Sequence, residues 1–191
     1  MSVTFEATNI PGAWIVDTTA FVDERGAFSR TFSHAEFAEQ GLETCWRQIS
    51  SSSNRNRGTL RGPHFQRGTF SETKLVRCER GRIFDVVVDL RTTSPAFGAH
   101  FAIELSVDNR LSVYAPRGCA HGFMTLEDDS TINYHISADF NPDASSGVLW
   151  CDEEIGIEWP FPPIMISEKD RNLPRFAELR KLGAADMLPA F

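Results

Sequence analysis

Tyrosine is the scarcest aromatic in this 191-residue chain, with two residues, Tyr114 and Tyr134, against fifteen phenylalanines. Each tyrosine is therefore a candidate for a specific role. Cysteine is also sparse. Cys45, Cys78, Cys119 and Cys151 are widely scattered and form no CxxC pair. That argues against a zinc site built on cysteine and reads as free thiols in a reducing cytoplasm. No stretch approaches the roughly 20 consecutive apolar residues of a membrane span. The opening MSVTFEATNIPGAW lacks a basic segment followed by an apolar one, so no secretory signal is expected. Basic charge is in deficit, 19 Lys and Arg against 26 Asp and Glu, for a net charge of -7. General nucleic-acid binding is disfavoured by that balance. A local basic pocket is not, because Arg47, Arg55, Arg57, Arg61 and Arg67 cluster within one short region.

No internal repeat, low-complexity tract or linker interrupts the chain, and its length and 41% apolar content fit one domain over residues 1–191. Residues 34–40, HAEFAEQ, predict a short helix with Ser33 as N-cap, Glu36 as capping-box partner and Gly41 as the stop. SSSSN at 50–54 reads as a turn or a sheet edge. The middle of the chain alternates strand-like runs with turn signals: KLVRCERGRIFDVVVDLR around ERGR, HFAIELSVDNRLSVYAP around VDNR, and GFMTLEDDSTINYHIS around EDDS. Short strands in such pairs predict an all-β antiparallel barrel or sandwich. Residues 171–191 form a Pro-punctuated tail with a short helix around PRFAELRKL.

The chemistry-bearing residues concentrate in GTLRGPHFQ, residues 58–66. Arg61 supplies a permanent cation, Gly62 and Pro63 set the backbone, and His64 brings an imidazole, a side chain suited to proton transfer. Strict alternation would face Arg61 and His64 oppositely, but a Gly-Pro turn can break that pattern. Downstream, YAPRGCAHGF holds Pro116, Gly118 and His121 in a PxGxxH pattern similar to the second half of the cupin signature. Metal-binding cupins place a second histidine where Gln66 stands. His64 and His121 with only Glu72 or Glu104 to complete them make a poor ligand set, so no metal is expected. Acid–base chemistry suits the inventory better. Lys74 heads a strand, either as a solvated edge residue or as a cation facing the barrel interior. Tyr134 shares a strand face with Ile132 and Ile136, which fits either a core residue or a phenolic proton donor. ISEKD, 166–170, brings Lys169 and Asp170, a carboxylate able to orient an imidazole.

The motifs DERGAFSRTF, GTLRGPHFQ, KLVRCERGRIFDVVVDLR, SPAFG, ELSVDNR, YAPRGCAHGF, GIEWP and ISEKD, in this order between about residues 9 and 175, resemble those of the dTDP-4-dehydrorhamnose 3,5-epimerases. The resemblance implies a cupin-type double-stranded β-helix, or jelly roll, with short peripheral helices. It implies a cofactor-free and metal-free cytoplasmic epimerase of a nucleotide-linked 4-keto-6-deoxy sugar. It further implies a homodimer with strand exchange, in which the early TFEATNIPGAWIVDTTAF segment joins the partner. On the same basis His64 is the base, Asp170 its carboxylate partner, Lys74 the enolate stabiliser and Tyr134 the donor from the opposite face. Arg61, His121, Gln48 and Lys169 hold the substrate, and Arg25 binds the diphosphate.

Departures from the family pattern fall on binding positions. Arg30 stands where a glutamate is usual, Phe140 where a tyrosine stacks on the base, and Ser145 where an acid is common. Pro63 and Phe65 also differ. These changes leave open epimerisation at C3 alone or a different nucleotide sugar. Two further alternatives are a metal-dependent cupin enzyme and a non-catalytic cupin that binds sugar nucleotides.

Overall fold

The computed structural model describes residues 2–181. Two six-stranded antiparallel sheets face each other. The first runs in the order β1 (Val3–Ala7), β2 (Trp14–Thr18), β10 (Ser112–Ala115), β7 (Lys74–Arg80), β12 (Ser130–Ile136), β5 (Gln48–Asn54). The second runs β13 (Ser145–Gly147), β6 (Thr59–Gln66), β11 (Cys119–Thr125), β8 (Arg82–Asp89), β9 (His100–Ser106), with β14 (Met165–Ile166) lying parallel to β6. A separate hairpin pairs β3 (Phe21–Asp23) with β4 (Gly26–Phe28). SSSSN is thus an edge, the outermost strand of the first sheet.

The three turn-broken pairs read from the sequence are all strands, yet none is a hairpin. β7 and β8, β9 and β10, and β11 and β12 each divide between the two sheets. ERGR, VDNR and EDDS are therefore corners between layers, which is the jelly-roll arrangement. Gly81 carries the first corner at φ 74, a left-handed conformation that suits glycine. A Cβ there would also fall 2.5 Å from Ser130 Oγ.

Strand alternation sorts the apolar residues into three layers. Ile83, Val87, Leu105 and Phe123 from the second sheet meet Val76, Cys78, Val113 and Ile132 from the first. The alternate residues Val86 and Val88 point outward and are covered by Val148, Ile155, Phe176 and Leu179. This is why VVV at 86–88 reads as an unbroken apolar run: both faces of β8 are covered. On the outer side of the first sheet, Val16, Leu75 and Tyr114 pack beneath Phe37 of α1 (His34–Glu39). Tyr114 has a structural place there, its hydroxyl accepting the Glu43 N–H at 3.0 Å.

Ser33 caps α1 as expected, accepting the Glu36 N–H. The reciprocal capping-box bond is replaced, because Glu36 Oε1 accepts from the Val3 N–H of β1 instead. The C-terminal segment forms α2 (Glu168–Arg171) and α3 (Phe176–Leu179). The remainder of the expected tail, 182–191, lies outside the described residues.

Candidate active site

Between the sheets opens a cavity of about 520 Å³. Its walls come from β5, β6, β7, β11 and β12, with α2 and the loop before β13 at the mouth. Of the residues singled out in the sequence, His64, Lys74, Tyr134, Asp170, Arg61, His121, Gln48, Phe140 and Lys169 all line it, as does Ser145. Arg25 and Arg30 do not. Arg25 sits on the β3–β4 turn, 83% exposed, with its guanidinium on Asp23 at 2.6 Å. Arg30 lies 3.5 Å from Glu36 on the outside of the first sheet.

Arg61 and His64 reach the same cavity because β6 breaks register. The β6–β11 ladder pairs His64 with His121 but Arg61 with Phe123, a shift at Gly62–Pro63. Gly62 (φ 80) approaches β11 closely enough that a Cβ would meet His121 O at 2.8 Å. Its N–H donates to Asp170 Oδ2 at 3.3 Å, so the same kink positions the carboxylate.

Asp170 reaches β6 from α2, where Ser167 Oγ accepts the Asp170 N–H at 3.1 Å. Its Oδ1 lies 2.5 Å from His64 Nε2. Burial on its own would push this carboxyl up. The hydrogen bond and charge of His64, with the Gly62 N–H and Ser167, overcome that and hold it below the usual carboxylate value. A carboxylate on one ring nitrogen fixes the imidazole tautomer and the orientation of the ring. His64 Nδ1 has no hydrogen-bond partner among the described residues and is the nitrogen available to a ligand.

Lys74 is not a solvated edge residue: it is only 9% exposed. Its ammonium donates to the His64 carbonyl at 3.1 Å and pairs with Glu72 Oε1 at 2.9 Å. Gln66, which occupies the position of a second cupin histidine, donates to the other Glu72 oxygen. Among the described residues no three His, Cys, Asp or Glu side chains are placed to hold a metal ion. Glu104 pairs with Arg82 on the surface.

Tyr134 belongs to the opposite sheet from His64. Burial, and then the charge of Asp85, push its phenol well up, with Arg61 opposing. The phenol therefore stays protonated and can only give its proton up to a strong base. His121 packs edge-on against it, ring centroids 5.9 Å apart. His121 Nε2 is itself bonded to Asp85 Oδ1 at 2.7 Å, both side chains being buried. This second histidine–carboxylate pair was not read from the sequence. Its signal was present: Asp85 alternates with the core residues Ile83 and Val87, an acidic group at an inward position. Asn54 was missed too, although it continues the inward row Gln48, Ser50, Ser52 on β5.

The chain matches the family model described as dTDP-4-dehydrorhamnose 3,5-epimerase over residues 7–178. It is 44% identical to the dTDP-4-dehydrorhamnose 3,5-epimerase of Methanothermobacter thermautotrophicus, across 88% of this chain and 91% of that one. Among solved structures it is similar to NovW of Streptomyces spheroides, a 4-keto-6-deoxy sugar epimerase, with TM-score 0.90, 33% identity and coverage of 94% and 90%. It is also similar to ChmJ of Streptomyces bikiniensis, a 3'-monoepimerase solved with dTDP-quinovose, with TM-score 0.86, 31% identity and coverage of 96% and 91%.

Proposed function

The chain belongs to the dTDP-4-dehydrorhamnose 3,5-epimerase family, and from that premise we propose how its own residues carry the reaction. The enzyme is an isomerase, an epimerase of a nucleotide-linked 4-keto-6-deoxy sugar. The ketone at C4 acidifies the hydrogens on C3 and C5. His64 Nδ1 removes one of them, and the electron pair moves through the new C=C bond onto the C4 oxygen. Lys74 donates its remaining N–H to that oxyanion. Tyr134 returns its phenolic proton to carbon from the opposite face, and the centre inverts. One proton leaves and one arrives, so the step needs no oxidant or reductant. The observation that carries this reading is the His64–Asp170 contact of 2.5 Å, in one cavity with Lys74 and Tyr134.

The substrate's diphosphate suits Arg61 and Lys169, which line the cavity together with Lys74 and the amide of Gln48. Phe140 at the mouth offers an aromatic face to the base. Arg25 completes the diphosphate contact from the partner in a homodimer with exchanged N-terminal strands. Support comes from the β3–β4 hairpin, which exposes Phe21, Val22 and Phe28 together, and from β1, which forms an open sheet edge. Light scattering at micromolar concentration should give twice the chain mass; a monomer would remove this part. The cytoplasm is the compartment that fits the exposed free thiols of Cys45 and Cys151. No helix among the described residues is long and apolar enough to cross a membrane.

The test is incubation with dTDP-4-keto-6-deoxyglucose in deuterated water, read by NMR. Deuterium at C3 and C5 supports the 3,5-epimerase. Deuterium at C3 alone makes the enzyme a 3-epimerase, as ChmJ is. Tight binding without exchange at either carbon would overturn catalysis in favour of a sugar-nucleotide binding protein.

A further inference from the structure

Arg61 is held in place by a neutral side chain. Asn54, at the end of β5 and 3% exposed, accepts from Arg61 Nε through Oδ1 at 2.8 Å. Asn54 is itself fixed, its Nδ2 donating to the Ser52 carbonyl at 3.1 Å and across the ladder to the Ser130 carbonyl at 3.3 Å. A guanidinium carries five N–H donors in a planar fork. With Nε committed to Asn54, the four terminal N–H groups have no hydrogen-bond partner among the described residues, and the side chain lines the cavity.

Other arginines of this protein are treated differently. Arg25, Arg82, Arg91 and Arg117 each sit against a carboxylate. Arg61 has no ion pair among the described residues. An aspartate in place of Asn54 would hold Nε equally well but would bring a negative charge to the guanidinium. An amide orients the cation and leaves its charge intact. That combination serves a group that must meet an anion, because the fork is pre-organised for two parallel bonds and its field is uncancelled.

We propose that Asn54 is a positioning residue that aims the terminal nitrogens of Arg61 at the diphosphate of the nucleotide sugar, and that its neutrality is part of that role. The inference rests on the reading of Arg61 as a substrate-holding group.

The experiment measures dTDP affinity by calorimetry, together with KM and kcat, on the full chain. Asn54→Asp is expected to weaken dTDP binding and raise KM by about tenfold or more, with kcat changing less, because a charge-assisted contact is compromised. Asn54→Ala is expected to weaken both by a smaller factor, since orientation is lost but charge remains. In an Arg61→Ala background, Asn54→Asp is expected to cost nothing further. Circular dichroism and Tm exclude global unfolding, and Asn54→Ala serves alone if the aspartate variant does not fold. An Asn54→Asp loss that persists undiminished without Arg61, or falls on kcat alone, would overturn the proposal. So would wild-type dTDP affinity in both Asn54 variants while Arg61→Ala binds weakly. Wild-type affinity in Arg61→Ala would overturn the reading of Arg61 and the proposal with it.

Discussion

Lys74 Nζ donates to the backbone carbonyl of His64 at 3.1 Å, across the gap between the two sheets. The cation and the imidazole are thereby registered to one another by the backbone of the residue that bears the imidazole. Glu72 Oε1 takes a second N–H at 2.9 Å. An ammonium has three donors, so one remains for the cavity. Side-chain rotamers of a free lysine carry roughly 2 kcal/mol of entropy, much of which these two contacts have already removed before substrate arrives.

If Lys74 meets the developing oxyanion, its loss should fall on the transition state more than on binding. Lys74→Ala is expected to lower kcat by about 10²–10³, with KM changing less. The measurement is the rate of deuterium entry into the substrate. Exchange at the wild-type rate would remove Lys74 from the chemistry.

Asp170 gives a pH test with a defined sign. Its pKa is depressed in the folded protein below the ordinary carboxylate value of 3.8, so it stabilises the fold above that value. That contribution is lost as pH falls through the folded value. Asp170→Asn should therefore lower Tm at pH 6, and the gap to wild type should close as pH drops below about 4. Activity of the variant should fall by about 10²-fold or more, because the imidazole loses its orienting carboxylate. A Tm gap that stays constant down to pH 3 would show that the carboxylate charge does not matter to stability.

The local grammar of the fold was legible: Ser33 as a helix cap, the three turn-broken strand pairs and the inward face of β12 all follow from periodicity and capping chemistry. Their assembly was not. A corner between sheets and a hairpin turn use the same residues, so ERGR cannot say whether β8 pairs with β7 or crosses to the other layer. His64 and Asp170 stand 106 positions apart. Only resemblance to the family joined them in advance, because spacing on a chain holds no information about a contact of that range. The facing of Arg61 and His64 depended on a register shift at Gly62–Pro63, which alternation alone does not foresee. Asp85 is legible in the sequence only as an acidic group at an inward position; its pairing with His121 on the neighbouring strand needs the assembled sheet.

Tyr134 and His64 come from opposite sheets, which sets up a separation of exchange from inversion. In Tyr134→Phe the base can still remove a proton and return deuterium to the face it came from. Deuterium should then enter the recovered substrate, while epimer formation falls by about 10²-fold or more. Because burial and the charge of Asp85 raise the wild-type phenol's pKa, Tyr134 should not itself produce an alkaline limb in the pH profile below pH 10. Equal loss of exchange and epimerisation would instead make Tyr134 a substrate-positioning group.

Phe140 is 64% exposed at the cavity mouth, an unusual place for a large apolar ring unless something covers it. Its backbone is clamped on both sides by one amide: Gln66 Nε2 donates to the Asp139 carbonyl at 3.1 Å, and Gln66 Oε1 accepts the Asn141 N–H at 2.6 Å. A ring that is open to solvent but fixed at its base is suited to stacking, which requires a flat face and little else. Base–aromatic stacking is worth about 1–3 kcal/mol per base, so Phe140→Ala should raise KM and the dTDP dissociation constant by roughly 5- to 150-fold. kcat should change less, because the ring is remote from the carbons that exchange protons. Phe140→Tyr keeps the face and should bind dTDP within about threefold of wild type. If Phe140→Ala left dTDP affinity unchanged, the ring would not be the base platform. Its exposure would then point to burial against a second subunit, which the light-scattering mass would have to support.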